Sequence, residues 1–251
     1  MKVFVINLAR RPERMERIRQ QLDALGIAYE RIDAVDGSRL TTAERRSAAR
    51  AFRWWCAKGY LPRAGEIGCG LSHREVWRKI AEGKDASACV LEDDVTLESG
   101  FVGMLGTTER FLCGGAKPRV VLLTPVHSEF RCKLAEGVFG KIDWAMHSGG
   151  YVVTPESARR LLRVTSPMTA PVDEWRRWAK IAKMDLFAVD PAVCSQAEYG
   201  SEPWGSPMES DTRERGIVFV KDMSTARRIV HKAVRVVGKA LDFVFTGVIV
   251  K

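Results

Sequence analysis

MKVFVINLARRPERMERIRQQLDALGIAYERIDAVDG, residues 1–37, is the stretch that decides the fold class. Residues 2–8 alternate and cluster β-branched side chains, which pack well on a pleated surface and predict a first strand. Pro12 and Glu13 then open a helical stretch over 14–25 that Gly26 ends, since proline suits a first helical turn and glycine the position just past a last one. A second strand over 27–32 follows directly. Strand, helix and strand at this spacing predict parallel pairing through a right-handed crossover. Residues 33–37, DAVDG, are turn chemistry.

The alternation continues downstream. Residues 41–56 carry Arg and Ala at helix-compatible positions and end near Trp54 and Trp55, which predicts a helical insertion over the sheet edge. In GEIGCGLSHREVWRKIAEG, residues 65–83, Ser72 is a good N-cap for a helix over 73–82 ended at Gly83. Gly65, Gly68 and Gly70 ahead of it resemble a phosphate-cradling loop, but they match neither the dinucleotide fingerprint nor the P-loop, and close packing is the favoured role. Residues 86–95 read as an apolar strand running into Glu92-Asp93-Asp94. Further strands are expected over 119–123, 150–154 and 188–194, with helices over 156–164 and 174–182. Such a series specifies an α/β fold with a mainly parallel central sheet and helices on its faces.

Composition agrees. A chain of 251 residues with 46% hydrophobic residues can bury a sizeable core in one large or two small domains. The six cysteines are scattered without a C-x-x-C pair or zinc-type spacing, which fits a reduced, intracellular protein. The apolar run at the N-terminus, about five residues, is too short for a signal-peptide core or a membrane span. A net charge of +9 favours an anionic partner: nucleic acid, anionic lipid or a phosphorylated small molecule. Nucleic acid is disfavoured, because no recognised binding motif appears and the basic residues are not interleaved with stacking aromatics.

In open α/β sheets ligands bind at the carboxyl ends of the strands, and residues 89–91 deliver Glu92, Asp93 and Asp94 to such an end. Three adjacent carboxylates repel. A hard divalent ion such as Mg²⁺ or Mn²⁺, bridging to diphosphate oxygens, would relieve that repulsion, whereas a solvated acidic turn is the plainer alternative.

Several segments in order resemble glycosyltransferase family 25, which includes bacterial lipooligosaccharide galactosyltransferases and the collagen galactosyltransferases. They are VINLARRPER near the start, AVDG at 34–37, GEIGCGLSH at 65–73, LEDDV at 91–95, GGYVVTPESARRLL at 149–162 and PVDEW at 171–175. The resemblance implies a GT-A type, Rossmann-like nucleotide-sugar-binding fold, a UDP-sugar donor, a divalent metal (Mn²⁺ or Mg²⁺) and inversion at the anomeric carbon. The expected reaction moves a hexose, galactose favoured, to a saccharide acceptor such as a lipid-linked lipooligosaccharide or lipopolysaccharide core. It places Asp94 as main metal ligand, with Glu92 or Asp93 at the ribose or supporting the metal, and Gln196 as a further metal candidate where related chains carry His. His147 is a weaker candidate of the same kind.

On the same resemblance Asn7, Leu8 and Arg10 follow the first strand, where uracil and ribose contacts are usual. The arginine run Arg10, Arg11, Arg14 reads equally as a solvated helix start. Asp36 with Gly37 lines the same pocket or forms an ordinary turn. Ser72 and His73 occupy the family's Ser-His positions, as helix cap or donor contact, and Gly149-Gly150-Tyr151 lets backbone approach the sugar or permits tight packing. Inverting transfer needs a base facing the acceptor, and PVDEW supplies Asp173, favoured, and Glu174. An N-cap role for Asp173 is compatible with its position.

Residues 1–222 are thus expected to form the GT-A domain and 223–251 a basic amphipathic helix and apolar tail. That tail either packs on the domain or lies on an anionic membrane surface, which would place the enzyme in the cytoplasm at the inner face of the membrane. A catalytically silent relative that binds sugar-nucleotide or scaffolds a membrane complex is the alternative.

Overall fold

The structure, a computed structural model, describes residues 1–126, 132–133, 139–143, 145, 147–196 and 236–244. The strands are β1 Lys2–Asn7, β2 Tyr29–Asp33, β3 Ala88–Glu92, β4 Val95–Leu97, β5 Arg119–Leu122, β6 Cys132–Lys133, β7 Phe139–Lys141, β8 Gly150–Val153, β9 Asp185–Val189 and β10 Cys194–Gln196. The helices are α1 Pro12–Ala24, α2 Thr42–Ala48, α3 Ala51–Lys58, α4 Ala64–Glu82, α5 Phe101–Cys113, α6 Pro155–Val164, α7 Trp175–Ile181 and α8 over 236–244.

The opening β-α-β unit forms as its sequence dictates. Pro12 stands in the first turn of α1 and Glu13 complements the helix dipole there. The helix stops in a Schellman arrangement: Gly26 takes φ +65, its N–H bonds the Asp23 carbonyl and the Ile27 N–H bonds the Leu22 carbonyl. Ile18 and Leu22, four apart on one side, are the buried positions of α1. β1 then pairs in parallel with β2 and with β3, which brings Ile6 opposite Glu92.

The main sheet has the order β2-β1-β3-β8-β5-β9-β7-β6. Six of these strands share one direction, and β8 and β7 run against their neighbours, so the expected α/β architecture holds with a mixed rather than purely parallel sheet. Successive side chains of β8 serve opposite faces. Val152 joins Ile18, Leu22, Phe101 and Phe111 in the core of one face, while Tyr151 meets Trp77 and Trp175 on the other. β10 and β4 form a separate antiparallel pair that sets Gln196 opposite Val95.

Contacts divide the chain into two compact units: Met1–Val35, Leu71–Thr165 and Val172–Ala197 in the first, Asp36–Gly70, Ser166–Pro171 and Glu198–Lys251 in the second. The first holds the main sheet. In the second, the expected insertion over 41–56 is two helices, α2 and α3. They part at Ala49, whose extended backbone bridges to Met168 while Arg50 N–H donates to the Met168 carbonyl. Thr41 and Glu44 form a capping box at the start of α2.

Two sequence expectations need correction. The helix expected over 73–82 begins at Ala64, so Gly65, Gly68 and Gly70 are helical and Ser72 is an interior position rather than an N-cap. Close packing overrides propensity here: a Cβ on Gly70 would overlap Met168 Sδ. The strand expected over 188–194 is the end of β9 and the first residue of β10, separated by 190–193. Most of the basic stretch 225–240 lies outside the described residues, which cover only 236–240 of it. Among the described residues no helix is long and apolar enough to cross a membrane.

Candidate functional site

The site is built on the carboxyl end of β3. Apolar residues 88–91 are fully buried and carry the chain outward to Glu92, the last residue of the strand, and the turn Asp93-Asp94. Hydrogen-bonded neighbours on both sides of β3 supply the surrounding groups.

On one side stands the end of β1. Asn7 is buried, and its Nδ2 donates to Asp93 Oδ2 at 2.6 Å and to the Arg11 carbonyl at 2.9 Å, while Arg31 Nε donates to its Oδ1 at 3.1 Å. Asn7 therefore ties the ends of β1, β2 and β3 together and orients Asp93. Arg14, on the first turn of α1, sets Nη1 3.5 Å from Asp93 Oδ1 and 3.4 Å from Asp94 Oδ2. Leu8 accepts the Arg11 N–H in the turn between β1 and α1, and Arg10 is exposed.

On the other side lies 147–151. His147 adopts φ 84, a left-handed conformation unfavourable for a residue with a Cβ, and its carbonyl accepts from Trp175 Nε1 at 2.9 Å. That conformation turns the chain so that the next hydroxyl, Ser148 Oγ, donates to Glu92 Oε1. The Gly149 carbonyl accepts the Glu92 N–H at 2.8 Å. Side chains on this pair of glycines would collide with Gln196 at Gly149 and crowd Cys194 and Leu91 at Gly150. Tight packing therefore accounts for both.

Behind Glu92 runs a buried hydrogen-bond chain. Trp77 Nε1 donates to the Tyr151 hydroxyl at 2.9 Å, and that hydroxyl meets His73 Nδ1 at 2.8 Å. Ionised Glu92 can only accept, so in a neutral His73 ring Nε2 holds the hydrogen and Nδ1 accepts from the Tyr151 hydroxyl. His73 Nε2 then carries the hydrogen that faces Glu92 Oε1 at 3.2 Å. Ser72, beside it, accepts the Val35 N–H at 2.8 Å, a tie within the fold.

The three carboxylates respond differently to this environment. Burial pushes Glu92 up, but the His73 and Ser148 contacts outweigh it and hold the group below its ordinary value. Asp93 is raised, by burial first and by the Glu92 charge, against Asn7 and Arg14. Asp94 is pushed up to about 6 by burial and then by Glu92, with Gln196 Nε2 donating to its Oδ1 at 2.9 Å in opposition. Among the described residues one guanidinium, Arg14, faces two carboxylates, and the side chains gathered there offer oxygen: carboxylate from Asp94 and Asp93, amide from Gln196. That donor set fits a hard divalent cation.

Asp173 and Glu174 precede α7. Glu174 is its N-cap residue without a side-chain cap bond, and the Trp175 N–H donates to the Asp173 carbonyl at 2.8 Å. Trp175 links this segment to the site, through His147 and through an edge-on contact with the Tyr151 ring at 4.9 Å. Asp36 belongs to the second unit, where its Oδ1 accepts from Ser38 N and Oγ and caps the turn Gly37–Arg39. Thus Asn7, His73, Glu92, Asp93, Asp94 and Gln196 converge in the first unit. The sequence alone leaves Arg14 undecided and does not single out Trp77 or Ser148, whose partners lie between 56 and 80 positions away.

The sequence profile of glycosyltransferase family 25, described as an LPS biosynthesis protein family, matches residues 1–175. Human procollagen galactosyltransferase 2 is 34% identical over 225 residues, 80% of this chain and 36% of its own length. Human inactive glycosyltransferase 25 family member 3 is 39% identical over 107 residues, 41% of this chain and 18% of its own length. The chain thus spans between 18% and 36% of the length of these relatives. The crystal structure of galactosyltransferase LgtC with donor and acceptor sugar analogs aligns at 10% identity and a TM-score of 0.43, over 85% of this chain and 94% of that one. With its profile matched over residues 1–175, the chain belongs to glycosyltransferase family 25.

Proposed function

We propose that this chain is an inverting glycosyltransferase of GT-A type, dependent on Mn²⁺ or Mg²⁺, that moves a hexose from a UDP-sugar to a lipid-linked saccharide of the lipooligosaccharide or lipopolysaccharide core. One observation carries this reading: three carboxylates crowd the end of β3, with Asp94 pushed up to about 6 and too little positive charge around it. A divalent cation would supply the missing positive charge and so allow an anionic diphosphate to bind beside the carboxylates. Galactose is the preferred hexose, in keeping with the relative named procollagen galactosyltransferase 2.

In this proposal Asp94 and Gln196, with Asp93, would hold the cation. Glu92, with Oε1 already engaged by His73 and Ser148, contributes negative charge and a fixed wall. When bound, the cation supplies positive charge to the departing diphosphate. Asp173 takes the proton of the acceptor hydroxyl as its oxygen forms a bond to the anomeric carbon. The bond from that carbon to the β-phosphate oxygen breaks on the opposite side, its electron pair leaving with UDP, and the configuration inverts. Glu174 is the second carboxylate of that segment.

The experiment is UDP-sugar hydrolysis with and without Mn²⁺, on wild type and Asp94→Ala, followed by transfer assays on Asp173→Asn and Glu174→Gln. Cation-stimulated hydrolysis lost in Asp94→Ala, with transfer lost but UDP binding kept in Asp173→Asn, supports the proposal. Cation-independent turnover untouched by Asp94→Ala contradicts it. A second reading, sugar-nucleotide binding without transfer, is favoured by the 39% identity to the inactive human relative. Tight UDP binding by a chain that hydrolyses no UDP-sugar with any cation selects it.

A further inference from the structure

Helix α8 packs with its polarity reversed. Gly238 and Asp242, one turn apart, are its buried positions, while Val236, Val237, Phe243 and Val244 are exposed, Val244 to 76%. The buried side rests on α3: a Cβ on Gly238 would stand 3.3 Å from the Cys56 carbonyl and 3.7 Å from the Trp55 ring. The Cys56 thiol is pushed up by burial and then by the Asp242 charge, which places that carboxylate at the same contact. A surface helix ordinarily turns its apolar side inward. On α3, Phe52 is 59% exposed and stacks on Trp55 with ring centroids 6.3 Å apart. Both helices of this contact, α8 and α3, thus expose apolar side chains within the second unit.

We propose that this apolar face of α8 and α3 is a docking surface for an anionic lipid layer. Charge selects lipid over a second copy of the chain. The described residues 36–70 and 236–244 of the same unit hold eight Lys and Arg against four Asp and Glu. Two copies joined through this face would bring like charges together. An anionic head-group layer neutralises them while its acyl region accepts the valines and Phe243. Trp55 is a side chain of the kind that settles at the boundary between head groups and hydrocarbon, and exposed Phe52 suits the apolar side of it. The anchoring element is thus the outward side of 236–244 together with α3.

The test is flotation of the 1–251 chain with vesicles of phosphatidylcholine alone and of phosphatidylcholine mixed with phosphatidylglycerol, beside analytical ultracentrifugation without lipid. The variants are Val237→Ser with Val244→Ser, and Phe52→Ser alone, each checked for an unchanged melting temperature and unchanged UDP-sugar hydrolysis. Wild type is expected to float only with phosphatidylglycerol present, more weakly at high salt, and the valine pair to weaken flotation about tenfold or more, since each exposed apolar side chain contributes an appreciable transfer term. Binding that falls with salt but survives all apolar substitutions overturns the proposal. So does a concentration-dependent dimer that the same variants dissolve, or a monomer that floats with neither vesicle.

Discussion

Asp94 carries a charge that burial and Glu92 disfavour more than Gln196 and Arg14 favour it, which decides how the protein should respond to substitution, pH and cation. Without metal, Asp94→Asn is expected to stabilise the protein, because it removes a buried charge that burial and Glu92 both disfavour while leaving an oxygen for Gln196. The gain is on the order of 1 kcal/mol, or about 2–4 °C in melting temperature for a chain of this size. Mn²⁺ should raise the melting temperature of wild type but not of this variant. The pH dependence has a definite sign. Asp94 titrates at about 6 in the fold against an ordinary 3.8. Between those values the folded chain holds a proton that the unfolded chain has lost, so metal-free stability falls as pH rises through the window. Cation binding must displace that proton, and Mn²⁺ affinity is expected to drop by up to about tenfold per pH unit below about 6. Titration of Mn²⁺ across that range measures it. Tyr151 makes a separate prediction: Tyr151→Phe strands Trp77 Nε1 and His73 Nδ1 in the core, costing about 2–3 kcal/mol in urea unfolding.

At the scale of elements, the glycines separate packing from propensity. Gly37→Ala would drive a Cβ into the Ala64 carbonyl, a backbone atom that cannot swing aside, and is expected to cost about 1–3 kcal/mol or more. Gly103, exposed in the interior of α5 with nothing within 4 Å of its Cβ position, should gain about 0.5–1 kcal/mol as Ala. Thermal unfolding of both distinguishes them. The same contrast explains what the sequence made legible. The first β-α-β unit was readable because Pro12, Gly26 and the β-branched run all act locally. The strand leading to Glu92-Asp93-Asp94 was readable because residues 88–91 are buried on both faces. The true start of α4 was not, because Gly65, Gly68 and Gly70 argue against helix and only Met168, about a hundred positions on, explains Gly70. Helix α5 was hidden by Gly103 and Gly106, and the reversed direction of β8 by the fact that alternation is the same for either direction. At the site, Asp94 was legible from its neighbours in sequence, whereas Arg14, Ser148 and Trp77 could be recognised only once the strand order set them beside it.

For the molecule as a whole, the arrangement is an α/β unit whose sheet ends in an acidic, partly compensated site, together with a second unit whose residues 36–70 are largely helical and hold seven Lys and Arg against three Asp and Glu. The cysteines report on its integrity. Cys56, Cys89, Cys113 and Cys194 are free, of which only Cys113 is exposed, and burial pushes Cys89 and Cys194 up. A thiol reagent should label Cys113 rapidly and the buried three only on the timescale of opening, a difference that mass analysis of timed samples resolves. Family membership and the crowded carboxylates point to one central claim, that the end of β3 is a cation-dependent UDP site. Calorimetric titration of UDP into wild type and Asp94→Asn, with and without Mn²⁺ at neutral pH, tests it most directly. UDP is expected to bind wild type at least about tenfold more tightly with Mn²⁺, the weight of one well-placed charge interaction, and Asp94→Asn with no such strengthening. Equal UDP affinity in all four titrations would contradict it.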